Sequence, residues 1–232
     1  MEKNQYKLCV EVLSRLHAVG TLNDLVLIGS WCVPFYENYF SGIEYKKGIK
    51  TRDIDFLIPS PKNIKIKVDI PELLKDLGFV IGFKGQKGYI RLEHPQLVVE
   101  FLVPEKGKGL DKPYPLPQLG VNAVSLRFLT FLAESTIRAE VGHFSIVLPH
   151  PVHFALHKLI ISERRLKEDK AAKDKSTAID ILKALIQKGE VLAVKKVFDS
   201  LPSRWQKKIV KGLGEEKEIL TLLVGSTIEN RM

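Results

Sequence analysis

The sequence predicts a mixed α/β (α+β) protein, in which a sheet-bearing first part precedes a C-terminal helical subdomain. Three observations carry this expectation. Short apolar runs suited to buried strands, LVLIG at 25–29, DIDFLI at 53–58 and LVVEFLV at 97–103, are spread through the first half among helical patterns. From Pro151 onward the spacing turns helical, with Val152, Ala155, Leu156 and Leu159 in one stripe and Ala178, Ile181, Leu182 and Leu185 in another. The chain has 232 residues and 45% hydrophobic content, enough to bury a sizeable core. The boundaries expected from the pattern are 1–148 for the first domain and 149–232 for the helical one.

Taken in order, Leu8, Val12, Leu16 and Val19 recur at helical spacing over 5–19, and Gly20 stops them. The run at 25–29 reads as a short buried strand and Trp31 to Phe40 as a helix with an apolar side. A second strand spans Asp53 to Ile58, halted by PSP. Pro71 suits the first turn of a helix reaching Leu77, because its missing N–H has no helical partner there. FVIGF, GYIRLEH and LVVEFLV then read as three consecutive strands. The Pro-, Gly- and Lys-rich stretch at 104–120 reads as a long exposed loop. A hairpin of STIRAEV and HFSIVL, joined near Gly142, completes the first part.

Lys and Arg number 36 against 27 Asp and Glu, a net charge of +9, which favours polyanionic partners such as nucleic acid or nucleotide phosphates. A solvated basic surface accounts for the charge equally well. Cys9 and Cys32 are the two cysteines, with no CxxC, so neither a disulfide framework nor a cysteine-rich zinc site is supported. The N-terminus lacks an apolar signal core, and no apolar run is long enough to cross a bilayer. The expectation is a soluble, cytoplasmic protein with no membrane partner.

Three groups of residues point to chemistry. In a strand, alternate side chains share a face, so Asp53 and Asp55 project together while Ile54 and Phe56 turn to the core. Two carboxylates so placed repel each other unless a cation or proton lies between them, and bound Mg²⁺ resolves the repulsion. A polar strand edge or a turn cap is the plainer alternative. Gly29-Ser30, between a strand and a helix, offers free backbone N–H groups and a hydroxyl to a phosphate; a simple N-cap role for Ser30 would explain the pair as well. Glu100 is acidic within an otherwise apolar strand and needs a partner. If its strand lies beside that of Asp53 and Asp55, the three carboxylates form a hard oxygen site for one or two divalent ions, Mg²⁺ or Mn²⁺.

GSW after a strand, a helix, TRDIDF in the next strand and an acid in a later strand together resemble the nucleotidyltransferase superfamily to which DNA polymerase beta belongs. The helical half, PHPVHFALHKLIISERRL followed by KAAKDKSTAIDILKAL, is similar to that of bacterial nucleotidyltransferases and abortive-infection toxin-like relatives. The resemblance spans about residues 20–188. It implies transfer of a nucleoside monophosphate from an NTP such as ATP to an acceptor hydroxyl, with pyrophosphate released. Gly29 and Ser30 would then hold the β- and γ-phosphates, Asp53 and Asp55 the metal, and Glu100 would serve as third carboxylate activating the hydroxyl. Lys158 would reach the triphosphate; an internal ion pair with Asp174 or Asp180 on the next helix is the plainer alternative. A later acid is Asp174, matching a Lys-Asp pair, or Asp180, facing the site from its helix.

Other residues have plainer readings. His153 and His157 are i, i+4 neighbours near His150, but no HExxH accompanies them, and buried or solvent-facing roles suit them. Arg164 and Arg165 read as a solvated helix face and Trp31 and Trp205 as packing residues. The acceptor stays open among nucleic acid such as the tRNA end, a protein side chain, and a small molecule such as an aminoglycoside. The competing reading is a non-catalytic nucleotide- or RNA-binding module, or the toxin-like member of a toxin–antitoxin pair.

Overall fold

The first helix, α1 (Lys3–Ala18), buries Cys9, Val12, Leu13 and Leu16 on one side and ends where Gly20 adopts a φ of 77°, as the spacing predicts. The structure, a computed structural model, describes residues 3–47, 51–105 and 112–225. These divide into two compact units. One takes the chain up to Tyr36 and again from Lys47 to Pro149; the other takes Glu37–Lys46 and the chain from His150.

The α/β unit is built on a mixed, seven-stranded sheet. Strand β1 (Val26–Ile28) runs antiparallel to β2 (Asp53–Leu57), and β2 lies parallel to β5 (Val98–Pro104). On its other side β5 pairs antiparallel with β4 (Tyr89–Glu93), which pairs with the edge strand β3 (Val80–Lys84). Farther along, β5 is joined in parallel by β7 (Val121–Leu126), and β7 carries β6 (Tyr114–Leu116). With neighbours on both sides, β5 is buried along nearly its whole length, which is why its sequence reads as a continuous apolar run. Helix α3 (Ile70–Leu74) starts at Asp69, whose carboxylate accepts the Glu72 N–H at 3.0 Å. Leu129 and Leu132 of helix α4 (Leu129–Ala133) cover one sheet face with Val26, Ile28, Leu57 and Leu102. On the other face the rings of Phe56 and Phe101 stack at 5.9 Å. Strands β8 (Thr136–Val141) and β9 (Phe144–Pro149) form the predicted hairpin.

The mixed α/β expectation holds, with local differences. Of the loop expected at 104–120, residues 106–111 lie outside the described residues, while Tyr114–Leu116 is a strand. Pro115 is tolerated there because β6 pairs with β7 alone and its missing N–H breaks no second ladder. The helix expected from Trp31 to Phe40 shrinks to a 3₁₀ turn (Gly29–Trp31) and the four-residue helix α2 (Cys32–Phe35). Beyond it, Glu37–Lys46 belongs to the helical unit, where Phe40 is buried against Tyr45, ring centroids 5.1 Å apart. Burial of these rings outweighs the local helical preference.

The helical unit contains α5 (Pro151–Ser162), α6 (Glu168–Gln187), α7 (Val191–Ser200), α8 (Ser203–Leu213) and α9 (Lys217–Val224). Both predicted stripes are buried. Pro151 opens α5, and His150 Nδ1 accepts the Val152 N–H at 3.3 Å. The Tyr39 hydroxyl donates to Glu190 Oε2 at 2.6 Å and meets His150 Nε2 at 3.0 Å, so His150 is the Nε2–H tautomer. Among the described residues no helix is long and apolar enough to cross a membrane.

Candidate active site

Asp55 and Glu100 are register partners on the parallel strands β2 and β5. Partners in a ladder point to the same face, and Asp53, two residues before Asp55, shares it. The three carboxylates therefore belong to one face, while Ile54 and Phe56 are fully buried on the other. Asp53 is exposed, Asp55 half-buried and Glu100 only 8% exposed. Leu57 and Leu102, the next residues on the carboxylate face, sit in the apolar cluster under α4. The face thus changes from apolar to acidic within two residues of each strand.

Gly29 follows β1 directly, and its strand pairs Ile28 with Asp55. Gly29 has a φ of 74°, and a Cβ there would come 2.7 Å from Asp55 Oδ2. Glycine is required both by the backbone conformation and by the approach of the carboxylate. Ser30 lies inside the 3₁₀ turn, and no side chain caps that turn or α2, so Ser30 is not an N-cap. The helix that follows the turn is short: α2 has four residues, too few aligned peptides for a sizeable macrodipole. What the turn offers a phosphate is its own N–H groups and the Ser30 hydroxyl.

Three residues that the sequence pattern did not single out complete this face. Lys84, at the end of β3, places its ammonium 3.0 Å from Glu100 Oε1 and 2.9 Å from Oε2. Arg91 Nε donates to Glu93 Oε1 at 2.6 Å, and the Glu93 carboxylate lies over Gly82, where a Cβ would overlap it. The alternation Val80-Gly82-Lys84 was the available signal, since period 2 puts these residues on one face, but only the pairing of β3 with β4 fixes which face.

The carboxylates are hard oxygen donors, and the missing Cβ of Gly29 leaves room beside Asp55, so the residues fit a divalent cation. Among the described residues no three His, Cys, Asp or Glu side chains already form a coordination shell; Glu100 is turned to Lys84 instead.

In the helical unit, Lys158 has an internal partner. Its Nζ lies 2.6 Å from Asp174 Oδ1, and Arg165 Nε is 2.8 Å from Oδ2, with both Lys158 and Asp174 buried. Burial pushes the Asp174 carboxyl up, but the charges and hydrogen bonds of Lys158 and Arg165 outweigh it and hold the group below the ordinary range. Lys158 also lies 5.3 Å from the Phe154 ring centroid. Asp180 is 3.7 Å from Lys46. Burial keeps His153 and His157 neutral, pushed down to about 4 and about 3.

A family model described as Nucleotidyltransferase matches residues 7–201. No curated protein sequence matches the chain. Among solved structures, the chain is similar to the solution structure of antibiotic-resistance factor ANT(2'')-Ia, with 11% identity over 89% of this chain and 96% of that one and a TM-score of 0.44. The crystal structure of ANT(2")-Ia in complex with adenylyl-2"-tobramycin shares 12% identity over 79% of this chain and 93% of that one, TM-score 0.45. An antigenic nucleotidyltransferase-like protein from Paracoccidioides brasiliensis shares 13% over 93% and 91%, TM-score 0.48. Similarity at this level says nothing about this chain's substrate. The family model, by contrast, covers most of the chain, including Gly29, Ser30, Asp53, Asp55 and Glu100, and the chain belongs to the nucleotidyltransferase family.

Proposed function

We propose that the protein transfers a nucleoside monophosphate from an NTP to an acceptor hydroxyl, with a divalent cation, Mg²⁺ or Mn²⁺, held by Asp53 and Asp55 and with Glu100 as the third carboxylate. The observation that carries this reading is the register of Asp55 with Glu100 on one sheet face, with Gly29 packed against Asp55. When bound, the cation supplies charge neutralisation at the phosphates and lowers the pKa of the attacking hydroxyl.

The chain's own residues position the reactants. N–H groups of the Gly29-Ser30 turn and the Ser30 hydroxyl bind the phosphates that leave, and the glycine allows them to approach the backbone. The acceptor oxygen forms a bond to the α-phosphorus while the bond from that phosphorus to the β-bridging oxygen breaks. Pyrophosphate departs with the electron pair, and the hydroxyl proton passes to the carboxylate face, where Glu100 stands. Catalysis of this kind needs positioning and electrostatics rather than a covalent intermediate. We assign it to the α/β unit, and assign Lys158 to the fold of the helical unit, because its ammonium is buried against Asp174. The net charge of +9 favours a polyanionic acceptor such as the tRNA end.

The test is incubation with each α-labelled NTP, Mg²⁺ or Mn²⁺, and total cellular RNA, protein or small-molecule acceptors. Transfer of label to one class, lost in Asp55→Asn, is the expected result. Nucleotide binding without transfer to any class would support the non-catalytic binding module instead.

A further inference from the structure

We propose that Lys84 withholds Glu100 from the cation until a nucleotide is bound, so that nucleotide and cation binding are coupled through one lysine. The inference rests on the reading of Asp53, Asp55 and Glu100 as the cation site. With Nζ 3.0 Å from Oε1 and 2.9 Å from Oε2, the ammonium lies in the fork of the carboxylate and takes the lone pairs that bidentate ligation needs. A cation bound to a single Glu100 oxygen would stand close to the ammonium, and like charges at such separations repel strongly. Glu100 is the register partner of Asp55, so the pairing lies within the site itself.

The two partners differ in freedom. The Glu100 side chain is 10% exposed on the central strand, whereas that of Lys84 is 54% exposed on the edge strand β3. The lysine has a flexible stem and water to move into; the carboxylate cannot follow it. Left alone, Glu100 would be a buried charge without a counter-ion, which is costly. Lys84 therefore leaves when another cation takes its place. A triphosphate makes the exchange favourable because it attracts the ammonium and brings a divalent ion. The pairs Lys84–Glu100 and cation–triphosphate become Lys84–triphosphate and cation–Glu100, and no charge is left uncompensated. Linkage then requires nucleotide and cation to strengthen each other's binding.

Binding of Mn²⁺, read from the electron paramagnetic resonance signal of the free ion, tests this without turnover. Without nucleotide, Lys84→Met is expected to bind Mn²⁺ about tenfold more tightly than the parent. The double variant Lys84→Met/Glu100→Gln should return to the parent affinity, because it replaces a neutral pair with a neutral pair. With a non-hydrolysable NTP analogue present, the advantage of Lys84→Met should vanish. If Lys84→Met does not fold, Lys84→Gln, which keeps a hydrogen-bond donor without the charge, serves in the same comparison. Equal nucleotide-free affinities of the parent and the lysine variant, with Asp55→Asn still losing the ion, overturn the role of Lys84 alone. Failure of the parent to bind Mn²⁺ even with the analogue overturns the cation site as a whole.

Discussion

A Cβ on Gly29 would stand 2.7 Å from the Asp55 carboxylate, so the turn after β1 and the DxD strand meet at a point that admits no side chain. Gly29→Val is expected to block nucleotide binding and displace Asp55, and its φ of 74° adds a backbone cost of about 1–2 kcal/mol for a non-glycine residue. Ser30→Ala should weaken nucleotide binding by only about 1 kcal/mol, the worth of one hydrogen bond. Nucleotide titrations with thermal melts check the order; parent-like affinity in Gly29→Val would place the triphosphate elsewhere.

Asp53→Asn and Asp55→Asn should each lower transfer by about a thousandfold or more, since each removes charge that holds the cation in place. The melting temperature should hold or rise slightly, because like-charge repulsion on the strand is relieved. Full activity in either variant would overturn the assignment.

The buried pair of Lys158 with Asp174 predicts a stability effect. Lys158→Met should cost about 1.5–3 kcal/mol, because it takes one of two cations from the buried Asp174 and leaves Arg165 as its counter-ion. Lys158→Met/Asp174→Asn should be more stable than Lys158→Met, since it removes the stranded charge. Denaturant unfolding measures both. Nucleotide affinity, measured where the single variant is folded, should be unchanged; a large loss of affinity with normal stability would return Lys158 to the triphosphate.

Acid should destabilise the helical unit in two windows. His153 and His157 are held neutral, pushed down to about 4 and about 3, so below the ordinary histidine value of about 6.5 the unfolded chain binds more protons than the folded one. Stability then falls as the pH drops from that value toward the folded values, by up to about 1.4 kcal/mol per pH unit for each histidine. His157→Gln should remove one of these contributions and flatten the slope. The Asp174 carboxyl is held below its ordinary range by Lys158 and Arg165 after burial is overcome. Its contribution is present above about pH 4 and is lost as the pH falls through its lower folded value. Urea unfolding between pH 7 and 3 follows both.

Tyr39, His150 and Glu190 form a chain of hydrogen bonds that ties the Glu37–Lys46 segment to its unit. Tyr39→Phe should cost about 1–3 kcal/mol, because it takes the hydroxyl from Glu190 Oε2 and from His150 Nε2 together, while Glu190 Oε1 keeps Lys188 at 2.6 Å. Chemical denaturation checks this, and an unchanged midpoint would mean that water substitutes for the hydroxyl.

Local pattern alone determined much of this protein. The α1 stripe ending at Gly20, the buried run of β5, the hairpin at Gly142 and the helical spacing after Pro151 are each set by neighbours within a few residues, where periodicity and turn chemistry act directly. The same holds for the shared direction of Asp53 and Asp55, which follows from the pleat. The tertiary structure decided what depends on partners distant in the chain. Strands β6 and β7 were hidden because Pro115, Pro117 and Gly120 look like loop residues: Pro115 is harmless at the edge position of β6, whereas Pro117 and Gly120 make the 3₁₀ turn that joins the two strands. The helix after Ser30 stopped at Phe35 because Tyr39 and Phe40 find burial in the other unit. That Glu100 stands beside Asp55 depends on the parallel register of two strands more than 40 residues apart, and that Lys84 neutralises it depends on the order of β5, β4 and β3. Lys158 read as either a phosphate ligand or half of an ion pair, because a lone cation on a helix carries no record of its counter-ion; the packing of α6 against α5 supplied Asp174.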